Sequence, residues 1–147
     1  MSYAELARQL AEINKKMVKL PVYTQITDIG RGEGVLLSYL AHHDGKATPV
    51  ELSEALDVST ARISALLNKM ERKQWITRQK HPDNRKNVLI LLLPAGAQQY
   101  KERSDQFSQN TIAFFEMLGE ERAALFVELQ DEMVRFLAKE TDRGDQE

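Results

Sequence analysis

The apolar positions Leu6, Leu10, Ile13, Met17 and Leu20 recur at steps of four, three, four and three. That spacing predicts an amphipathic helix with a narrow stripe of the helix–helix type, and Lys15, Lys16 and Lys19 fall off it. Pro21 stops it. Residues 21–34 mix β-branched residues with Gly30, Gly32 and Gly34 and read as a loop entering the next helix. That helix carries Val35, Leu36, Leu37, Tyr39 and Leu40 and ends before the turn dipeptide Asp44-Gly45. Thr48-Pro49-Val50-Glu51 then sets a threonine cap, a proline at the first helical position and a glutamate three residues after the cap. This capping box opens a short helix through Leu52, Ala55, Leu56 and Val58. Ser59 caps another, whose apolar face is Ile63, Leu66, Leu67 and Met70. Only Asp57-Val58-Ser59 separates the two, which is the pattern of a helix-turn-helix.

After Trp75 the period changes to two. Ile76 to Lys80 alternates, Pro82 to Lys86 is polar turn material, and Val88 to Leu92 is strand-like again. Two strands about a charged tip predict a β-hairpin, the wing of a winged helix. Pro94 then opens a long helix with the stripe Tyr100, Ser104, Phe107, Thr111, Phe114, Leu118. Gly119 breaks it, and Leu125, Phe126, Leu129, Met133, Phe136 and Leu137 mark a final amphipathic helix. Residues 141–147 are expected to be a frayed polar tail. The expected fold is mainly α with a small β-hairpin wing. A winged-helix part near 35–93 is flanked by helical parts at 1–34 and 94–140, all one domain of 147 residues.

Net charge changes this picture once it is divided. Over the chain it is −2, but residues 59–93 carry eight Lys/Arg against two Asp/Glu, or +6. Residues 1–58 total −2 and residues 94–147 total −6. A positive centre in a mildly acidic chain points to a polyanion partner, although charge alone fits a solvated basic face as well. The side of the second helix turned away from its apolar stripe holds Thr60, Ala61, Arg62, Ser64, Ala65, Asn68 and Lys69, with Arg72 a turn further on. Small and hydroxyl residues let a helix approach base edges, arginine forks onto guanine and asparagine pairs with adenine. The helix N-termini at Thr48 and Ser59 offer N–H groups to phosphate. Arg78 and Lys80 lie on the first wing strand, and Arg85 and Lys86 at its tip, where a long cation suits a minor groove. Asp83, two residues before Arg85, suits a charge-assisted pair that orients the arginine.

These residues resemble the MarR (multiple antibiotic resistance regulator) family. The resemblance is carried by Leu52-Ser53-Glu54-Ala55-Leu56-Asp57-Val58, by Ser59 to Met70 and by Glu71-Arg72-Lys73-Gln74-Trp75-Ile76. The wing Asp83-Asn84-Arg85-Lys86, followed by Leu92-Leu93-Pro94-Ala95-Gly96, completes it, the Asp-x-Arg pair being its most specific piece. Gln74 stands where the family usually has glycine and Leu93 where it usually has threonine, both at the hinges of the wing. The resemblance implies a homodimeric transcriptional regulator on pseudo-palindromic double-stranded DNA, commonly a repressor released by a small-molecule effector. It also implies an effector pocket where dimerisation helices meet the winged helix, for which Tyr23, Tyr39, His42 and Phe107 are candidates; core or interface packing explains the four equally well. Independently, the stripes at 6–20, 100–118 and 125–137 offer more apolar surface than one winged helix covers, the alternative being a self-contained helical layer.

Other functions find little support. With no cysteine, disulfides, thiol sensing and cysteine-based zinc sites are excluded. His42 and His43 are adjacent and diverge by about 100° on a helix, which is unsuited to joint metal ligation. No nucleophile elbow or phosphate-cradling glycine loop is present, so neither an enzyme nor a cofactor is expected. No apolar run approaches membrane-spanning length, and Met1-Ser2-Tyr3-Ala4-Glu5 lacks the blocks of a signal peptide, so a cytoplasmic address is expected. The second functional reading is a winged-helix module that docks an acidic protein through its hairpin.

Overall fold

Capping chemistry sets where the helices begin. In the computed structural model, which describes residues 1–21, 32–84 and 87–144, helix α1 spans Tyr3–Met17 behind a Ser2 capping box. The Glu5 N–H donates to Ser2 Oγ at 3.3 Å, and the Ser2 N–H donates to the Glu5 carboxylate at 2.6 Å. Helix α2 (Glu33–His42) and strand β1 (Lys46–Ala47) precede α3 (Pro49–Leu56), where Thr48 and Glu51 repeat the reciprocal box at 3.2 and 2.9 Å. Helix α4 (Thr60–Arg72) starts on Ser59, whose Oγ accepts the Arg62 N–H at 3.2 Å. Between α3 and α4, Asp57 turns the chain in the left-handed region at φ 50, and Ser53 Oγ donates to the Val58 carbonyl at 2.6 Å. The helix-turn-helix forms as its spacing predicts.

The wing is β2 (Ile76–Lys80) and β3 (Val88–Leu92), paired antiparallel with Thr77 opposite Leu91 and Arg78 opposite Ile90. Strand β1 lies on the other side of β3, giving the order β1-β3-β2. This third strand is a correction to the sequence reading. Two residues are too few for alternation to register, and the strand exists because β3 has a free edge beside the Asp44-Gly45 turn. Leu92 N–H reaches the Gly45 carbonyl at 2.7 Å.

Leu36, Leu37 and Leu40 of α2, Leu52 of α3, Ile63, Leu67 and Met70 of α4, and Ile76 and Ile90 of the wing are fully buried together, with Ala47 beside them. Each large side chain contributes about 1.5–3 kcal/mol on burial, so this cluster fixes how α4 and the wing are presented.

Helix α5 runs Pro94–Leu118 and α6 runs Glu120–Gly144. The chain divides into two compact units, Met1–Asp105 and Gln106–Glu147. In the second, Gly119 at φ 80 makes the break, its N–H on the Phe115 carbonyl at 2.9 Å, and Phe126 meets Phe114 edge-on at 5.4 Å. Helix α6 continues to Gly144, so residues 141–144, expected in a frayed tail, are helical. His43 is the C-cap of α2 rather than a residue of the helix. The loop reading of residues 21–34 falls mostly outside the described residues.

Candidate nucleic-acid interface

Helix α4 buries Ile63, Leu67 and Met70, which turns Thr60, Ala61, Arg62, Ser64, Ala65, Asn68, Lys69 and Arg72 outward, all of them exposed. The only acid on the helix is Glu71, near its end. Arg62, Ser64 and Asn68 make no side-chain hydrogen bond among the described residues, so their donors and acceptors point into solvent. The first-turn N–H groups of Thr60 and Ala61 precede the one that Ser59 accepts, and the positive end of the helix dipole lies there. Thr48 is more constrained. Its hydroxyl and its N–H are both engaged with Glu51, and Pro49 has no N–H, which leaves Val50 as the available donor of that turn.

The cations of the centre divide into tied and untied ones. Glu33, at the start of α2, accepts Lys69 Nζ at 2.8 Å and Lys73 Nζ at 2.9 Å. Burial opposes ionisation of Glu33, but the two ammonium groups overcome it and hold the carboxyl below its ordinary value. Lys73 also sits 4.3 Å above the Trp75 ring, and the Arg103 guanidinium lies 5.2 Å from the same ring. Arg78 is paired with Glu71 at 3.0 Å. Arg72 and Lys80 have no side-chain partner among the described residues. Sequence reasoning missed Glu33, Trp75 and Arg103. Glu33 lies 36 and 40 residues from its lysines, beyond any local spacing rule.

The hinge before the wing takes the backbone that a glycine would take. Gln74 has φ 59, and its N–H bonds the Glu71 carbonyl at 3.0 Å. At the other hinge, the Leu93 N–H donates to the Trp75 carbonyl at 2.9 Å, and its own carbonyl accepts the Ala97 N–H at 3.0 Å. Leucine supplies the backbone part of the α5 cap and no side-chain oxygen. Toward the tip, His81 and Asn87 close the hairpin at 2.8 Å, and the Asp83 N–H donates to His81 Nδ1 at 3.1 Å. Arg85 and Lys86, and with them the Asp83–Arg85 pair, lie outside the described residues.

Of the candidate pocket residues, Tyr39 and His42 both belong to α2. Tyr39 stacks on His43 at 3.8 Å between centroids, while His42 meets Tyr100 edge-on at 5.7 Å. Phe107 is exposed on α5 within the second unit, and Tyr23 lies outside the described residues. A concavity of about 490 Å3 lies in that second unit, lined by Ile112, Phe115, Glu116, Gly119, Glu120 and Ala123, none of them a candidate. No cluster of three or more His, Cys, Asp or Glu suited to a metal occurs among the described residues.

Residues 27–86, which contain the helix-turn-helix and most of the wing, match the MarR family. The multiple antibiotic resistance protein MarR of Salmonella typhimurium is 38% identical over 53 residues, 36% of this chain and 37% of that protein. The chain spans between 37% and 64% of the length of the curated relatives it matches. Among solved structures, the YusO protein of Bacillus subtilis superposes with a TM-score of 0.74 at 16% identity, over 92% of this chain and 99% of that one. The MepR–DNA complex of Staphylococcus aureus gives 0.64 at 22% identity, over 92% and 99%. At these identities the likeness is one of fold, and it covers the flanking helices as well as the winged helix. No helix among the described residues is long and apolar enough to cross a membrane.

Proposed function

We propose that the protein is a cytoplasmic, homodimeric transcriptional regulator that binds double-stranded DNA at a pseudo-palindromic operator and acts as a repressor released by a small-molecule effector. It is a binding protein rather than an enzyme. One observation carries the reading: a capped recognition helix whose outward face offers Thr60, Arg62, Ser64 and Asn68 to base edges, with no acid among them. Ser59 and Thr48 supply helix N-termini for phosphate, and Arg85 and Lys86, with Asp83 as the partner of Arg85, are assigned to DNA from their sequence positions alone. Lys69 and Arg78 border this surface as cations already paired with carboxylates. The MepR–DNA complex, a protein of the same fold, supports the placement. A homodimer is supported by stripes left uncovered in one chain. Leu6, Leu10 and Ile13 of α1 and Leu125, Leu129, Phe136 and Leu137 of α6 are all exposed.

Anisotropy titration against duplexes tiled from the promoter regions of its own gene and its neighbours tests the reading. Saturable binding confined to particular fragments, weakening steeply with salt, is the expected result. Equal affinity for every duplex would refute specific regulation, and no binding to any duplex would favour the protein-docking module.

A further inference from the structure

The six described cations of residues 59–93 are held in different ways. Arg62, Arg72 and Lys80 have no side-chain partner among the described residues, whereas Lys69, Lys73 and Arg78 are bound to carboxylates. Two of the three ties converge on Glu33. Its side chain is 12% exposed against 56% for Lys69, so the acid is seated in the fold and the lysine reaches back to it from α4. Arg62, Lys69 and Lys73 follow at steps of seven and four and therefore line one edge of the helix. The N–O distances of 2.8 to 3.1 Å are those an ammonium makes with a phosphate oxygen.

We propose that Glu33 is a specificity-determining residue: its carboxylate stands in for a DNA phosphate toward Lys69 and Lys73 and withholds both from sequence-independent binding. The proposal rests on the DNA-binding reading above. Lysine–phosphate contacts add affinity to every duplex alike, while the base-reading Arg62, Ser64 and Asn68 are untouched by Glu33. Selectivity is a ratio, and occupying the lysines internally lowers its denominator more than its numerator. One carboxylate facing two ammonium groups leaves a single net positive charge, so the edge stays compatible with DNA.

The test compares the parent, Glu33→Gln, Lys69→Gln/Lys73→Gln and the triple variant, by anisotropy on the best promoter fragment and on a scrambled duplex. Each lysine that gains a phosphate steepens the log–log salt slope by about 0.9. Between about 50 and 200 mM salt, Glu33→Gln should enlarge the fall in scrambled-duplex affinity about 3-fold per protomer for one lysine, or about 10-fold for two. Preference for the promoter fragment should shrink. The triple variant should return to the parental slope, and the lysine pair substituted with Glu33 intact should leave it nearly unchanged. Glu33→Asp, which keeps the charge, should stay closer to the parent than Glu33→Gln. If the lysine substitutions flatten the slope equally in both backgrounds, Glu33 acts only as one more negative charge, and the proposal is overturned. An unchanged slope in Glu33→Gln overturns it too, and leaves the regulator reading standing if the parent binds its fragment. Should Glu33→Gln not fold, the lysine pair alone decides, since flattening by about 0.9 or more per protomer contradicts internal occupation. If the parent binds neither duplex, both readings fall together.

Discussion

Replacing Gly96 by alanine should break the joint between α5 and the hinge of the wing. A Cβ built at Gly96 lies 2.3 Å from the Trp75 carbonyl oxygen, 3.0 Å from its carbon and 2.8 Å from Leu92 Cδ1. The Leu92 methyl can rotate away. The Trp75 carbonyl cannot, because it accepts the Leu93 N–H at 2.9 Å while the Trp75 N–H is bound to the Met70 carbonyl at 3.0 Å. Contacts of this kind are not found below 3.0 Å, so the two segments must part by several tenths of an ångström, which stretches the Leu93 bond beyond useful length. Overpacking costs about 1–3 kcal/mol, and losing the hydrogen bond about 0.5–1.5 kcal/mol. Alanine returns about 1 kcal/mol of helix propensity. The net expectation is a destabilisation of about 0.5–3.5 kcal/mol. It should appear as a lower urea midpoint with an unchanged slope when parent and variant are unfolded at equal protein concentration. Gly119→Ala is the contrast. It meets nothing within 4 Å and loses only the left-handed backbone at φ 80, about 1–2 kcal/mol. A Gly96→Ala midpoint at or above the parent's would refute the close approach of α5 to Trp75.

Arg62→Ala should cost about 1–3 kcal/mol in operator binding and relax preference at one base position, with a melting curve within about 0.5 kcal/mol of the parent; unchanged base preference in a mutated-operator panel would exclude Arg62 from readout. Arg85→Ala should weaken binding most at sites flanked by A·T tracts, and equal losses at all sites would argue against minor-groove reading. Leu10→Glu or Phe107→Glu should place a charge on a subunit interface, cost several kcal/mol and give monomer or aggregate by light scattering; a clean, stable dimer of both would assign the stripes elsewhere. For Glu33, whose folded carboxyl titrates below its unfolded value, the stabilising contribution is complete above the ordinary glutamate range. It is lost as pH falls through the lowered folded value. Acid unfolding of Glu33→Gln should therefore be less steep than the parent's below that range, and coincident acid limbs would contradict the ion pairs.

Elements whose signal is local were legible from residue order. The Thr48 capping box, the Ser59 cap, the Asp57-Val58-Ser59 turn and the strand-like runs 76–80 and 88–92 each involve partners within a few residues, and each forms where expected. The outward face of α4 followed from its buried face, because one stripe fixes the opposite one. Long-range pairing was not legible. Lys46 meets Leu91 and Glu33 meets Lys73 across more than 35 residues, and neither pair leaves a periodic mark. Arg78 and Lys69 looked equivalent to Arg62 because charge counting does not reveal which cations already have a partner. Gln74 shows a further limit. A residue with a Cβ accepts the left-handed hinge, at a cost of about 1 kcal/mol or more, when the hairpin beyond it is in register.

Trp75 is the only tryptophan in the chain, and it sits between the last turn of α4 and the first strand of the wing. Its ring is flanked by Lys73 and Arg103, which come from α4's C-cap and from α5. The indole is thus an intrinsic fluorophore at the point where three elements meet, with a cation from each of two of them. Emission from unlabelled protein will report any event that shifts α5 against the hinge, whether operator, effector or salt causes it. Half-buried placement leaves the ring reachable by a neutral quencher such as acrylamide. Motion at this joint can therefore be timed by stopped flow without altering a single residue.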